Sequence, residues 1–167
     1  MEIKKIEVVG GGTMGNGIAH VFAMKGFDVS LVDLNEELLN RSFATITKNL
    51  DRQIKKEIIT EADKEQILKR ISRISGVENT PKESDLVIAA VYENKQVKLD
   101  IFNKLNPIVK ADSIFASNTS SISITELSTA SRPDKFIGMH FMNPVPVMKL
   151  VEVIRGLGTT DETFQAT

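Results

Sequence analysis

A histidine and a glutamate in the last third of the sequence have the types and spacing for acid–base chemistry. His140 lies near the end of an apolar segment, Phe136–Phe141, that is typical of a β-strand, and Glu152 lies within the next such segment, Leu150–Ile154. The connection is too short for a helix, so we predict that the two strands pair antiparallel. A carboxylate beside an imidazole fixes the tautomer of the ring and supports proton removal from a hydroxyl group.

Further polar side chains follow other predicted strands. Tyr92, Glu93 and Asn94 follow Leu86–Val91, and the run from Asn118 to Ser121 follows Ser113–Ser117. Ligands of an open parallel sheet bind outside the carboxyl ends of the strands, so we expect these groups to meet near His140. The alternatives are a structural histidine, loop hydroxyls that bond only to the backbone, and a solvated acid at a helix start.

A glycine motif opens the chain. Gly10, Gly12 and Gly15 follow a β-prone run and precede a helical pattern. Gly10 permits a tight turn, Gly12 leaves room for a pyrophosphate, and Gly15 allows close packing of helix on strand. The N-terminus of the helix offers N–H groups and a partial positive charge to phosphates. The alternative is a glycine-rich turn without a nucleotide.

An acidic residue ends the next predicted strand. Asp33 is placed to accept hydrogen bonds from the hydroxyl groups of an adenosine ribose. A carboxylate there would repel an added phosphate, and Leu34 and Asn35 supply no arginine to hold one. The sequence therefore predicts NAD rather than NADP as the cofactor.

Alternating strand and helix patterns predict the elements that position these groups. They favour an α/β fold, a Rossmann-type doubly wound, mainly parallel sheet. A charged helical stretch, about residues 35–72, interrupts the pattern and is interpreted as an inserted helical hairpin, with Ile67, Leu68 and Ile71 on one face. This hairpin either only stiffens the domain or clamps part of a substrate.

The composition excludes several function classes. The chain has 167 residues and a formal net charge of −1, which leaves no broad basic surface for nucleic acid. It has no Cys and only two His, which argues against a metal site. Its longest apolar run is far shorter than the ~20 residues that span a bilayer. We therefore expect a cytoplasmic, metal-free protein with neither nucleic-acid nor membrane partners.

The residues quoted above also carry a family resemblance. The segments Gly10–Ala19, Ser117–Ser121 and Gly138–Ile154 resemble the short-chain L-3-hydroxyacyl-CoA dehydrogenases, especially the bacterial 3-hydroxybutyryl-CoA dehydrogenases. The similarity runs through almost the whole chain, and the last two segments are specific to the family. This sequence differs from the family pattern at Ala89, where the family has an acidic residue.

The resemblance implies a reaction and its residues. It implies NAD-dependent oxidation of an L-3-hydroxyacyl-CoA, such as 3-hydroxybutyryl-CoA, to the 3-oxoacyl-CoA and the reverse, in fatty-acid or butyrate metabolism. His140 matches the catalytic acid–base, Glu152 its partner, and Ser120 the serine that bonds the substrate's 3-oxygen. Asn143 and the basic pair Arg52 and Lys56 are implied to bind substrate, the basic pair at the phosphate of CoA.

The resemblance also implies the cofactor site and the organisation of the whole protein. The implied NAD contacts are Gly10, Gly12, Thr13, Met14, Gly15, Asp33, Glu93, Lys98 and Asn118. Residues 1–167 are expected to form the NAD-binding domain, without the family's C-terminal helical domain. The chain alone is then expected to be poorly active, and the full-length protein to be a homodimer or larger. A non-catalytic NAD-binding relative and a Rossmann dehydrogenase for another hydroxy acid are the alternatives.

Overall fold

The computed structural model describes residues 2–167, in which strands and helices alternate. The strands are β1 (Lys5–Val9), β2 (Asp28–Asp33), β3 (Ile71–Ser75), β4 (Leu86–Ala89), β5 (Ile114–Ser117), β6 (Phe136–Phe141) and β7 (Val151–Arg155). The helices are α1 (Thr13–Met24), α2 (Glu36–Lys55), α3 (Glu61–Lys69), α4 (Lys95–Leu105), α5 (Ile124–Ser128) and α6 (Asp161–Ala166). No helix within residues 2–167 has both the length and the apolar character needed to cross a bilayer.

All seven strands form one sheet in the order β3-β2-β1-β4-β5-β6-β7. Neighbouring strands run parallel from β3 to β6, and β7 pairs antiparallel with β6. The order reverses between β1 and β4, which is the crevice where ligands of doubly wound sheets bind. The predicted doubly wound sheet and its antiparallel last strand are both confirmed.

Helices cover both faces of the sheet. One face packs against α1, α2 and α3 through buried side chains that include Ile18, Ile46 and Ile67. The other face packs against α4 and α5, where the rings of Phe102 and Phe136 meet edge to face at 4.7 Å. Burial on both faces explains the nearly continuous apolar runs of the central strands.

Strand β3 corrects the prediction for the inserted helical stretch. The helices α2 and α3 occupy most of it, and Thr60 caps α3 with a capping box. However, Ile71 does not continue the face of α3: it begins β3 and lies opposite Val29 of β2. Ile71 falls at helical spacing from Ile67, so periodicity alone extended the helix. Pairing with the free edge of β2 overrides that local preference.

Strand β1 carries a buried carboxyl group, that of Glu7. Glu7 is fully buried, and its two carboxyl oxygens accept hydrogen bonds from Thr80 Oγ1 at 3.1 Å and Ser84 Oγ at 3.2 Å. Burial raises the pKa of Glu7 to about 7, although the two hydroxyl groups oppose the shift. Because the pKa of Glu7 in the folded protein lies above its usual value of 4.5, folding favours the protonated form.

This group predicts a pH-dependent stability. The stabilisation from protonated Glu7 is complete below about pH 4.5 and is lost as the pH rises through about 7. The loss should amount to about 3 kcal/mol in the free energy of unfolding. Glu7→Gln removes this titration, so the variant should gain stability relative to the unmodified protein between pH 5 and pH 8. Urea denaturation at both pH values measures the gain, with the exposed Glu65→Gln as control. Equal pH dependence in Glu7→Gln and the unmodified protein would contradict the assignment.

Candidate active site

The glycine motif brings β1 and α1 unusually close together. A Cβ atom on Gly15 would lie 1.6 Å from the carbonyl oxygen of Gly10. Gly10 has a φ of +94°, and a Cβ atom there would lie 2.8 Å from the carbonyl oxygen of Ala90. Both positions therefore require glycine, as the turn and packing arguments predicted.

Gly12 has the opposite environment. A Cβ atom there would meet no atom of the described residues within 4 Å, because the backbone faces a cavity of about 720 Å³. Helix α1 begins next to it at Thr13, and its first turn carries no acidic side chain in the described chain. The first N–H groups of a helix have no acceptor within the helix, so those of Thr13, Met14 and Gly15 are available to an anion.

Asp33 is fixed at the edge of the same cavity. Its carboxylate accepts hydrogen bonds from the backbone N–H groups of Gly11 and Leu34, each at 2.7 Å. Each oxygen uses one acceptor site on the protein and keeps another for a ligand. Ser42, buried on α2, donates to the carbonyl oxygen of Gly11 and holds the loop from the other side. This geometry suits a carboxylate that receives ribose hydroxyl groups.

An arginine that the sequence argument did not consider also lines this cavity. Arg41 lies on α2, and its guanidinium forms an ion pair with Glu37 Oε1 at 2.6 Å. The sequence could have indicated this position, because Arg41 lies less than two helical turns after Asn35, the residue that caps α2 beside Asp33. The two side chains of this pair are each 72% exposed, so Arg41 remains a cation at the edge of the cavity that Asp33 also lines.

His140 joins Ser120 and Glu152 in one hydrogen-bonded chain. His140 Nδ1 lies 2.7 Å from Glu152 Oε2, and His140 Nε2 lies 3.1 Å from Ser120 Oγ. The β6–β7 register places His140 directly opposite Glu152, as the antiparallel pairing predicted. Because a carboxylate only accepts hydrogen bonds, Nδ1 donates to Glu152 and Nε2 carries the lone pair. In this tautomer, Nε2 can accept a hydrogen bond or a proton from a group beside Ser120.

An ion pair between buried Lys98 and exposed Glu93 lies beside this chain. Lys98 Nζ contacts Glu93 Oε2 at 2.9 Å, and Asn118 Oδ1 accepts from the N–H group of Phe141 at 3.0 Å. Burial raises the pKa of Glu93, but hydrogen bonds from Thr119 and Lys98 outweigh it and hold the pKa below its usual value. Burial lowers the pKa of Lys98, an effect that the Glu93 carboxylate opposes.

Three adjoining cavities connect the glycine loop to His140. A cavity of about 580 Å³ shares Gly12 and Tyr92 with the cavity at Asp33. The same middle cavity shares Ser120 and His140 with a third of about 350 Å³, which Glu152 also lines. Together they form one extended groove along the carboxyl ends of the strands. Such a groove fits an elongated dinucleotide whose far end lies beside His140.

Apart from Ser120, one of the three predicted substrate contacts lines the groove and two do not. Asn143 is exposed and lines both the Asp33 cavity and the middle cavity. Arg52 and Lys56 are exposed at the end of α2, and neither lines these three cavities. Lys56 follows the last helical residue, and its N–H group bonds to the carbonyl oxygen of Arg52. The structure thus places the two cations together but away from Ser120 and His140.

Two supporting residues escaped the sequence analysis. Thr119 Oγ1 donates to Glu93 and accepts from the N–H groups of Ser121 and Ile122. Ser117 Oγ accepts from Lys98 at 3.1 Å. Both fall within a run of small polar residues in which the sequence does not distinguish buried hydroxyls from exposed ones.

With this geometry established, comparison with known proteins is informative. A family model described as the NAD-binding domain of 3-hydroxyacyl-CoA dehydrogenase matches residues 5–167. The chain belongs to the 3-hydroxyacyl-CoA dehydrogenase family. The groove residues fit the cofactor of this NAD-binding domain, since the open position at Gly12 and the anchored carboxylate of Asp33 suit a diphosphate and a ribose.

Individual relatives agree with this family assignment. The domain is 50% identical to 3-hydroxybutyryl-CoA dehydrogenase from Bradyrhizobium diazoefficiens, over 98% of this chain and 56% of that protein. It is 42% identical to human mitochondrial hydroxyacyl-coenzyme A dehydrogenase, over 98% of this chain and 54% of that protein. The crystal structure of (S)-3-hydroxybutyryl-CoA dehydrogenase from Ralstonia eutropha superposes with a TM-score of 0.95 at 48% identity, over 99% of this chain and 58% of that one. The domain therefore spans slightly more than half the length of these relatives.

The geometry at Asp33 predicts the effect of removing its carboxylate. Asp33→Ala should weaken NADH binding by about 1–3 kcal/mol, because a charged hydrogen-bond acceptor is lost. Isothermal titration calorimetry measures the change. Asp28→Ala, at the opposite end of β2 with its side chain 69% exposed, is the matched control and should bind NADH normally. Tighter binding of NADPH than of NADH by the unmodified protein would refute this role of Asp33.

Proposed function

We propose that the protein containing this domain oxidises L-3-hydroxyacyl-CoA thioesters to 3-oxoacyl-CoA with NAD and catalyses the reverse reduction. The observation that carries the proposal is the Ser120–His140–Glu152 chain at the end of a groove that begins at the glycine loop. The names of the relatives support 3-hydroxybutyryl-CoA as a substrate.

The acid–base step belongs to His140. Its Nε2 atom takes the proton of the substrate's 3-hydroxyl group during oxidation and returns it during reduction. Glu152 accepts from Nδ1, so the imidazole has the correct tautomer before the step and its positive charge is balanced after it. Bound NAD supplies a hydride acceptor for oxidation, and NADH supplies the hydride for reduction.

Ser120 orients the reacting oxygen. Its Oγ atom lies 3.1 Å from His140 Nε2, so a substrate oxygen beside both atoms would bond to the hydroxyl and the imidazole together. A single position for that oxygen also fixes the carbon that carries the transferred hydrogen. Orientation of this kind contributes strongly to rate.

Substituting the acid–base pair tests this proposal. His140→Ala should lower kcat with acetoacetyl-CoA by about two to four orders of magnitude, because a positioned acid–base group is lost. Glu152→Gln should lower kcat in the same direction, since the amide cannot balance the imidazolium charge. The affinity for NADH, measured by calorimetry, should stay unchanged in both variants.

The exposed Glu162→Gln on α6 is the control for the glutamate variant. Near-normal kcat in His140→Ala would show that His140 is not the acid–base group. Absence of turnover in the unmodified intact protein, with normal NADH binding, would instead favour a non-catalytic NAD-binding protein.

Arg52 and Lys56 are proposed to bind the phosphate end of CoA. The support is their adjacency and exposure, since two neighbouring cations suit a phosphate group. Replacing both with Ala should raise KM for acetoacetyl-CoA by about tenfold, equivalent to about 1.4 kcal/mol. KM for a pantetheine thioester, which lacks that phosphate, should change little. Lys104→Ala, exposed on α4 rather than on α2, is the control. An equal rise in both KM values would exclude a CoA-phosphate contact.

A further inference from the structure

Lys98 is a charged side chain with no exposed surface. It lies on α4, its side chain is 0% exposed, and it is among the largest fully buried side chains of the domain. Lysine is almost never fully buried unless it is paired. Its burial beneath the middle cavity therefore has a specific structural cause.

The ammonium group of Lys98 has every donor in use. Nζ donates to Glu93 Oε2 at 2.9 Å, to Ser117 Oγ at 3.1 Å and to the carbonyl oxygen of Asn118 at 2.7 Å. An ammonium group has three N–H donors and no acceptor. Lys98 consequently has neither a free donor nor accessible surface with which to contact a dinucleotide directly.

The acceptors of Lys98 connect it to the loop that carries Ser120. Glu93 Oε1 accepts from Thr119 Oγ1 and, at 3.4 Å, from Ser121 Oγ. Thr119 Oγ1 in turn accepts from the backbone N–H groups of Ser121 at 3.3 Å and Ile122 at 3.0 Å. Hydrogen bonds thus fix the chain immediately before and after Ser120.

The same loop is attached to the strand that carries His140. Asn118, whose carbonyl oxygen accepts from Lys98, also accepts through its side chain from the N–H group of Phe141. A shift of residues 118–121 would therefore change the 3.1 Å contact between Ser120 Oγ and His140 Nε2.

We propose that Lys98 is a positioning residue that holds the Ser120 hydroxyl against His140, acting through Glu93 and the loop at residues 117–121 rather than by touching the dinucleotide. This inference rests on the proposed function, because that function gives the Ser120–His140 contact its role. It differs from the implied role of Lys98 as a cofactor contact and predicts a different pattern of effects.

The test compares two substitutions in the intact protein. Lys98→Met removes the ammonium group while keeping an unbranched side chain. Thr119→Val leaves Lys98 in place and removes the shorter of the two side-chain hydrogen bonds between the loop and Glu93. Each should lower kcat by about 10- to 100-fold, because small displacements of reacting groups cost rate. The Kd for NADH should stay within about threefold. Because both substitutions act on one series of contacts, the double variant should be no slower than the slower single variant.

Lys95→Met is the matched control. Lys95 lies on the same helix, is half-exposed and pairs with Glu126 at 3.0 Å, so kcat should be unchanged. Circular dichroism and thermal unfolding identify variants that fail to fold. If Lys98→Met fails to fold, Thr119→Val decides, and wild-type kcat in folded Thr119→Val overturns the proposal.

Two further results would overturn the proposal. A rise of tenfold or more in the Kd for NADH, with unchanged kcat at saturating NADH, would make Lys98 a cofactor ligand. Unchanged kcat and Kd in folded Lys98→Met would show no role for it. Effects that multiply in the double variant would show that Lys98 and Thr119 act independently, which also contradicts the series of contacts.

A spectroscopic measurement separates this inference from the proposed function. NMR signals of the His140 ring are assigned by comparing the unmodified protein with His140→Ala. Lys98→Met and Thr119→Val should shift these signals, and Lys95→Met should not. If the unmodified protein does not reduce acetoacetyl-CoA, the proposed function fails, but the His140 signals still decide the positioning role.

Discussion

The close contact between Gly10 and Gly15 determines where the groups at the glycine-loop end of the groove lie. Neither backbone has room for a Cβ atom, so α1 packs directly against the end of β1. This contact sets the N-terminus of α1 over the crevice between β1 and β4, beside the open position at Gly12. It also brings Gly11 to Asp33, whose carboxylate bonds to the loop N–H group. A side chain at either glycine would displace the helix and the ribose end of the groove together.

One end of the groove is formed mainly by backbone groups and the other by side chains. The glycine-loop end consists of backbone N–H groups and a carboxylate anchored by backbone, and these groups suit phosphates and a ribose. The His140 end uses side chains, and each is held by another side chain: Glu152 holds His140, while Glu93 holds Thr119. Backbone sites tolerate substitution in neighbouring side chains, whereas the His140 end depends on each member of its hydrogen-bonded series.

Much of this arrangement could be predicted from the sequence, because local patterns determine it. The glycines at Gly10–Gly15 predict a tight turn and close packing of α1 on β1. The short connection after His140 predicts antiparallel pairing and hence the contact with Glu152. Strand β3 could not be predicted, because helical spacing continued into Ile71 and only the edge of β2 decides its structure. The burial of Glu7 and Lys98 also escaped prediction. Both are charged residue types, which are exposed in most proteins, and only the packed fold shows that water is excluded from them.

The antiparallel strand β7 makes the chemistry of the groove depend on the length of one connection. Side chains alternate between the two faces of a strand, so moving β7 by one residue along β6 would turn Glu152 to the opposite face and place Val151 or Val153 opposite His140. The connection at residues 142–150 sets this alignment through the number of its residues. An insertion that displaces β7 therefore keeps the residue that follows β6 by the original spacing on the histidine's face only when β7 moves in steps of two residues.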